Sequence, residues 1–426
     1  MGMAGAVTGQ CLTVTTLAGS DRQLVREVLD GRLVRPVFQP IVDLERETTV
    51  GYEALARVQV GSLTSPAALF QAGRAAGQLA ELDWLCRERA VDAARDGGLR
   101  YPLSLFINAE PETLLADDGD AQRWGQFGDL RCYTELTERA LAAHPAALLR
   151  AIDQVREQDW GIALDDVGAD PQSLALLPMI RPDVIKLDLA LLQRRPTDAR
   201  DVTVARVLHS ALSQAADTGA VVIAEGIETE QHLDLARAYG AQYGQGYLLG
   251  RPGPLPTVLT SPTHPVPLLL RSLDRSLPPG PFAVVAGAAG VRRADHVSVR
   301  ELARQLLAQA RELDPAPVVL VCANDPDLLP SELCSLLEAL GDAPVVGLVG
   351  SSPVLAQLSG LRCHLLQPGD PAGHDFAVVV VGGYYTAALV SRPTLQATPT
   401  GVLDMALTFD TDLASSAAQA LLARLP

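Results

Sequence analysis

In the first 250 or so residues, oxygen-bearing side chains recur at the ends of short apolar runs. TVGYEAL carries Glu53, with Arg57 one turn on. LFINAE carries Asn108, and CYTELTE carries Glu135 and Glu138. GIALDD ends in Asp165 and Asp166, VIKLD supplies Lys186 and Asp188, and VVIAEGIE supplies Glu225 and Glu228. QYGQGY adds Gln245 and FQPIV adds Gln39. Most are carboxylates, and carboxylates gathered in one place repel and raise one another's pKa. A divalent cation removes that penalty. Carboxylate and carboxamide oxygens without His or Cys suit hard ions, Mg2+ or Mn2+. Adjacent Asp165 and Asp166 suit bridging or serving two ions spaced for in-line displacement at phosphorus. Lys186 suits holding an attacking water or stabilising transition-state charge, and Arg57 suits a phosphate clamp. Taken singly, each acid reads more readily as a helix N-cap or a surface group, and Asn108 as a turn residue. The joint recurrence is the signal. Lys186 inside an apolar run adds to it, because lysine is rarely fully buried unless paired.

Such residues need a scaffold that brings strand ends together. From about residue 33, apolar runs alternate with longer amphipathic stretches. The runs cover 36–42, 49–55, 103–108, 130–136, 161–166, 183–188, 220–225 and 241–247. Helical periodicity marks Pro145–Asp159, Val202–Asp217 and Glu228–Tyr239 between them. This alternation predicts parallel strands with crossover helices, and eight runs fit an irregular TIM-type (β/α)8 barrel. Only Asp43–Thr48 separates the first two runs, too short for a helical crossover, so that pair is expected to be antiparallel. Gly250–Pro267 is rich in Pro and Gly and breaks both periodicities. The expected organisation is a frayed N-terminus over 1–22, the barrel over 23–258, a Pro-rich linker over 259–280 and a smaller α/β domain over 281–426. In that last domain FAVVAGA, VVLVCA, PVVGLV, CHLLQ, FAVVVVG and MALTF read as strands. Val297–Leu313, Ser331–Leu340 and Asp412–Leu425 read as helices.

Composition narrows the partners. The formal net charge is −16, so no basic stripe exists to replace the counterions of a nucleic-acid polymer. An anionic substrate must then be met by metal ions or a few placed cations. No run of 18 apolar residues occurs and the N-terminus lacks a signal-peptide pattern, so no membrane association is expected. Six scattered cysteines without a C-x-x-C pair point to a reducing, cytoplasmic setting.

The ordered motifs resemble the EAL family of cyclic di-GMP phosphodiesterases. Glu53-Ala54-Leu55 with Arg57 matches its name motif, and Phe106-Ile107-Asn108 its F-x-N segment. Glu135-Leu136-Thr137-Glu138, Ile185-Lys186-Leu187-Asp188 and Ala224-Glu225-Gly226-Ile227-Glu228 match further motifs in order. Gln245-Gly246-Tyr247 and Gly250-Arg251-Pro252 complete the series. The resemblance implies that Glu53, Asn108, Glu135 and Asp165 ligate a first metal, while Asp166 serves a second. It implies that Glu225 and Glu228 orient metal or water and that Lys186 orders the nucleophilic water. Gln39, Leu55 and Gln245 would line the substrate, Arg57 would touch phosphate, and Glu138 would hold the loop after Asp166. The implied reaction opens cyclic di-GMP to linear pGpG, and a barrel-to-barrel homodimer is implied as well. One departure stands out. The loop reads Asp165-Asp166-Val167-Gly168-Ala169-Asp170, where the family has Phe, Thr and Gly in place of Val167, Ala169 and Asp170.

The C-terminal domain resembles the DICT sensory domain over Val378–Val390 and Asp404–Arg424, which implies reception of an unknown signal. A silent cyclic di-GMP receptor is the rival reading of the barrel. A glycoside hydrolase fits poorly, since only 4% of residues are aromatic and no Trp lies at these strand ends.

Overall fold

The computed structural model describes residues 21–115, 130–137, 145–168, 171–188, 201–269, 279–341, 343–351, 361–394 and 401–425. Glu138, Ala169, Asp170 and most of the expected N-terminal segment lie outside them. Eight strands close a barrel in chain order. They are β1 (Arg35–Asp43), β2 (Thr48–Arg57), β3 (Ser104–Asn108), β4 (Arg131–Thr137), β5 (Gly161–Val167), β6 (Val184–Asp188), β7 (Val221–Glu225) and β8 (Tyr243–Gly244). All eight coincide with the apolar runs of the sequence, although β8 keeps only two residues.

As the short connection requires, β1 is antiparallel to β2, and it is antiparallel to β8 as well. β2 with β3, β3 with β4 and β7 with β8 are parallel. The reversed β1 has a consequence for register. Its early residues lie beside the late residues of β2, so Gln39 pairs with Glu53. The strands are buried almost throughout, as expected for a sheet covered on both faces.

Local chemistry starts and stops the helices. Ser65 caps Pro66–Ala76 by accepting from the Ala68 amide, Pro66 stands at the first helical position, and Gly77 (φ 69°) ends it in the left-handed region. Thr229 caps Glu230–Ala238 by accepting from the His232 amide. The helix Leu79–Asp96 buries a charged pair, Asp83 and Arg87, each 1% exposed. Both bond to each other and to Thr113, and Arg87 also lies over the Trp84 ring.

The second sheet has seven strands in the order β12-β11-β10-β13-β14-β15-β9. They are β9 (Arg292–Asp295), β10 (Val318–Ala323), β11 (Val346–Gly350), β12 (Arg362–Leu365), β13 (Phe376–Val381), β14 (Thr386–Pro393) and β15 (Val402–Thr408). β10, β11 and β12 run parallel, and the rest pair antiparallel. The helices His296–Arg311 and Ser331–Glu338 pack on one face, where Leu306, Leu307 and Leu337 meet Val319, Val378 and Leu389. FAVVAGA, expected as a strand, is instead part of the helix Pro281–Ala289. Its entry carries the reason: Gly280 sits at the N-cap in extended backbone and Pro281 supplies a preset φ at the first turn. By contact density Thr137–Arg156, Leu164–Val222 and Leu269–Pro426 form one of two compact units.

Candidate functional site

Glu53 lies near the C-terminal end of β2 with 6% of its surface exposed. The amide of Gln245, just past β8, donates to Glu53 Oε2 at 2.6 Å and to Gln39 Oε1 at 3.2 Å. Gln39 in turn donates to the Gly250 carbonyl at 3.1 Å. Asn108, the last residue of β3, donates through Nδ2 to Glu53 Oε1 and Glu135 Oε2, both at 2.9 Å. Five of the sequence-derived site residues thus form one hydrogen-bonded cluster. Gln39, Glu53, Glu135 and Gln245 are buried, while Asn108 is exposed.

The chemistry of this cluster suits a cation. Asn108 bridges two buried carboxylates with a neutral amide, which donates hydrogen bonds without cancelling charge. Turning that amide over exchanges its nitrogen for an oxygen donor. Gln245 Oε1 is buried and has no hydrogen-bond partner among the described residues. A buried acceptor left unpaired is costly, and a group entering the cluster would satisfy it.

β5 and β6 deliver a second cluster. Lys186 has no exposed surface, and its Nζ lies 3.1 Å from Asp165 Oδ1. The Asp166 amide donates to the same Asp165 oxygen at 3.0 Å. Asp165 and Asp166 offer carboxylate oxygens within 4.8 Å of each other. Asp166 adopts φ 56°, a left-handed conformation uncommon outside glycine. Val167, the departure from the family pattern, is fully buried.

Glu225 ends β7 half-buried, and Gly226 (φ 70°) turns the chain out. The backbone then threads tightly past Gln245. The Ile227 amide donates to the Gln245 carbonyl at 3.0 Å, and the Gln245 amide to the Ala224 carbonyl at 2.9 Å. A Cβ at Gly246 would lie 2.2 Å from the Ile227 carbonyl oxygen, so only glycine fits there. Glu228 is exposed, with its backbone amide donating to His232 Nδ1 at 3.2 Å. Arg57 ends β2 exposed and bonds to the Ala56 carbonyl at 2.8 Å, outside the cluster around Glu53. Leu55 is half-buried two residues before it. Glu138 lies outside the described residues.

Sequence reading missed the support behind Asn108. Asp83 accepts from the Glu110 amide at 3.3 Å, and Thr113 donates to the Glu110 carbonyl at 2.7 Å. These bonds fix the turn that follows Asn108. The available signal was an Asp and an Arg four apart on the apolar face of a helix.

A family profile described as EAL domain matches residues 21–252. A protein of Pseudomonas aeruginosa, named cyclic di-GMP phosphodiesterase NbdA, is 29% identical over 228 residues, covering 51% of this chain and 29% of its own. A protein of Escherichia coli K12, named probable cyclic di-GMP phosphodiesterase PdeG, is 26% identical over 249 residues, covering 55% and 48%. The match therefore spans less than half of either relative. Among solved structures, Klebsiella pneumoniae BlrP1, described as a manganese/cy-diGMP complex, aligns with TM-score 0.44 and 26% identity, over 52% of this chain and 56% of that one. Among the described residues, no helix is long and apolar enough to cross a membrane.

Proposed function

This chain belongs to the EAL domain family, and from that premise we propose that it hydrolyses one phosphodiester of cyclic di-GMP to give linear pGpG. The observation that carries the reading is the Asn108 bridge between buried Glu53 and Glu135, beside a Gln245 oxygen that has no partner among the described residues. The names of the relatives support the substrate.

Glu53, Asn108, Glu135 and Asp165 would hold a first Mg2+ or Mn2+, and Asp166 would join Asp165 for a second. Asp165, Asp166 and Glu225 are a carboxylate set of the kind such an ion neutralises. When bound, the ions supply Lewis acidity at the scissile phosphate. The side chains do the rest. Lys186, aimed by Asp165, holds the attacking water and meets the charge that grows on phosphorus. Glu225 and Glu228 orient that water. Gln39, Leu55 and Gln245 line the dinucleotide, and Arg57 reaches a phosphate. Glu138 steadies the loop after Asp166. Water adds at phosphorus, the bond to the ribose 3′-oxygen breaks, and that oxygen takes a proton.

The barrel over 23–258 works as a homodimer in this reading. The DICT-like domain over 281–426, beyond the linker, receives a signal and regulates turnover, all in the cytoplasm. Val167 in place of the family's Phe favours one second reading, a receptor that binds cyclic di-GMP without cleaving it. The test is to incubate the full chain with cyclic di-GMP and Mn2+ or Mg2+ and follow pGpG. Product with either ion upholds hydrolysis. Binding without product overturns it and leaves the receptor.

A further inference from the structure

A cavity of about 310 Å3 opens within the compact unit that includes Leu164–Val222 and Leu269–Pro426. One wall is the helix Asp201–Thr218, through Ser210 and Gln214. The other is the turn between β13 and β14, through Tyr384 and Tyr385, with Phe409 beside it. No residue named in the proposed hydrolysis lines it.

Three observations mark this cavity as built for a ligand. Ser210 is only 2% exposed, and its Oγ has no hydrogen-bond partner among the described residues. Two large aromatic side chains are left in water at the same place, Phe409 at 59% and Tyr384 at 43% exposure. The Tyr385 and Phe409 rings meet edge to face, 6.3 Å apart at 65°, so two ring planes already border the space. Tyr384 is held rather than loose, because its hydroxyl donates to the Asp314 carbonyl at 3.2 Å.

The lining also states what the ligand is. It contains no Lys or Arg, Asp217 is its carboxylate, and only His209 could add positive charge. An anion such as a nucleotide is therefore repelled or left uncompensated. Aromatic walls with hydroxyl and amide groups favour a flat ring that both stacks and hydrogen-bonds. The volume suits one or two fused rings. We propose that this cavity binds an uncharged planar heteroaromatic compound, and that its occupancy alters turnover at the barrel.

The second clause rests on the hydrolysis proposed above. Its path is short. Pro178 lines the same cavity and belongs to the helix Leu177–Ile180. The neighbouring Met179 carbonyl accepts from the Gln419 amide at 2.6 Å, and Arg181 pairs with Asp412 at 3.4 Å. Three residues beyond Arg181, β6 begins and carries Lys186. A ligand against Pro178 thus presses on the segment that leads to Lys186.

The test uses the full chain with adenine, guanosine and indole as probes and benzoate as the anionic control. Binding is read by ligand-observed saturation-transfer NMR, which needs no turnover. At least one neutral probe should bind and the neutral probes should compete with one another. Ser213→Trp, which fills the cavity from the helix, should weaken binding by about tenfold or more. Ser210→Ala, which removes the hydroxyl, should weaken it too and covers the case in which the Trp variant does not fold. No binding by any neutral probe, preferred binding of benzoate, or unchanged binding in the folded variants overturns the site. Turnover is measured separately with the probe that binds. A changed rate in the parent and not in the variants upholds the coupling. An unchanged rate overturns the coupling alone, and absence of pGpG under all conditions is the failure of the hydrolysis reading, not of the site.

Discussion

Lys186 Nζ stands 3.1 Å from Asp165 Oδ1 with the lysine wholly out of solvent. A buried ammonium beside a carboxylate adds little net stability, since such pairs roughly break even against apolar packing, and in the proposed reaction this one meets the charge that grows on phosphorus. Lys186→Met should lower kcat by about 10²-fold or more while leaving the affinity for cyclic di-GMP within a few-fold. Calorimetric binding set against pGpG production checks this. Removing one partner of a buried pair also costs about 3–5 kcal/mol, so urea denaturation must show the variant still folded. Full kcat in the variant would contradict the assigned role.

Asn108 donates to Glu53 and Glu135 together. In Asn108→Asp a third carboxylate replaces the shared donor. With metal chelated, stability should fall by about 1.5–3 kcal/mol, the scale of a hydrogen bond to a charged group. Mn2+ should then raise Tm more in the variant than in the parent, because the added charge strengthens cation binding. Equal responses to Mn2+ would show that Asn108 does not border an ion.

The donor set predicts metal dependence directly. EDTA should abolish pGpG formation, and Mg2+ or Mn2+ should restore it. Ca2+ should restore it poorly, since its larger and looser shell positions water less strictly. Robust activity with Ca2+ would count against two closely spaced hard ions.

Asp375 offers a test of pH dependence in the C-terminal domain. It is 2% exposed, and burial raises its carboxyl above the ordinary 3.8 although the Phe282 amide, Arg392, Arg424 and His374 pull the other way. The folded value therefore exceeds the unfolded one. Its contribution to stability is complete below the unfolded value and is lost as pH rises through the folded one. Asp375→Asn keeps an acceptor for the Phe282 amide, which now bonds to Oδ2 at 3.1 Å. The parent should lose more stability than this variant between about pH 4 and pH 8, measured by urea titration. Parallel pH profiles would refute it.

The barrel was legible because its signals are local. Eight apolar runs with polar ends give the strands, and a six-residue gap such as Asp43–Thr48 can only reverse the chain. The cluster of Gln39, Glu53, Asn108, Glu135 and Gln245 followed from those ends. The second domain was less legible. Pro281–Ala289 is apolar on all sides, so its composition alone resembles a buried strand, and only the Gly-Pro entry distinguishes it. β9 was invisible because RRAD lacks any apolar pattern, and β14 because it follows β13 after a turn of only four residues. Arg57 shows a further limit. Spacing puts it near the cluster, but its side chain bonds to its own strand's carbonyl.

The reversed first strand makes the barrel a late product of synthesis. Phe38 and Gly253 exchange backbone hydrogen bonds at 2.7 and 3.0 Å, and Gln39 depends on Gly250 and Gln245 for its partners. On the ribosome these two ends are more than two hundred residues apart. A nascent chain halted before Gln245 would hold Glu53 without the glutamine amide that donates to it. The mouth therefore becomes competent in one late step, when the final turn emerges and zips against a strand made long before.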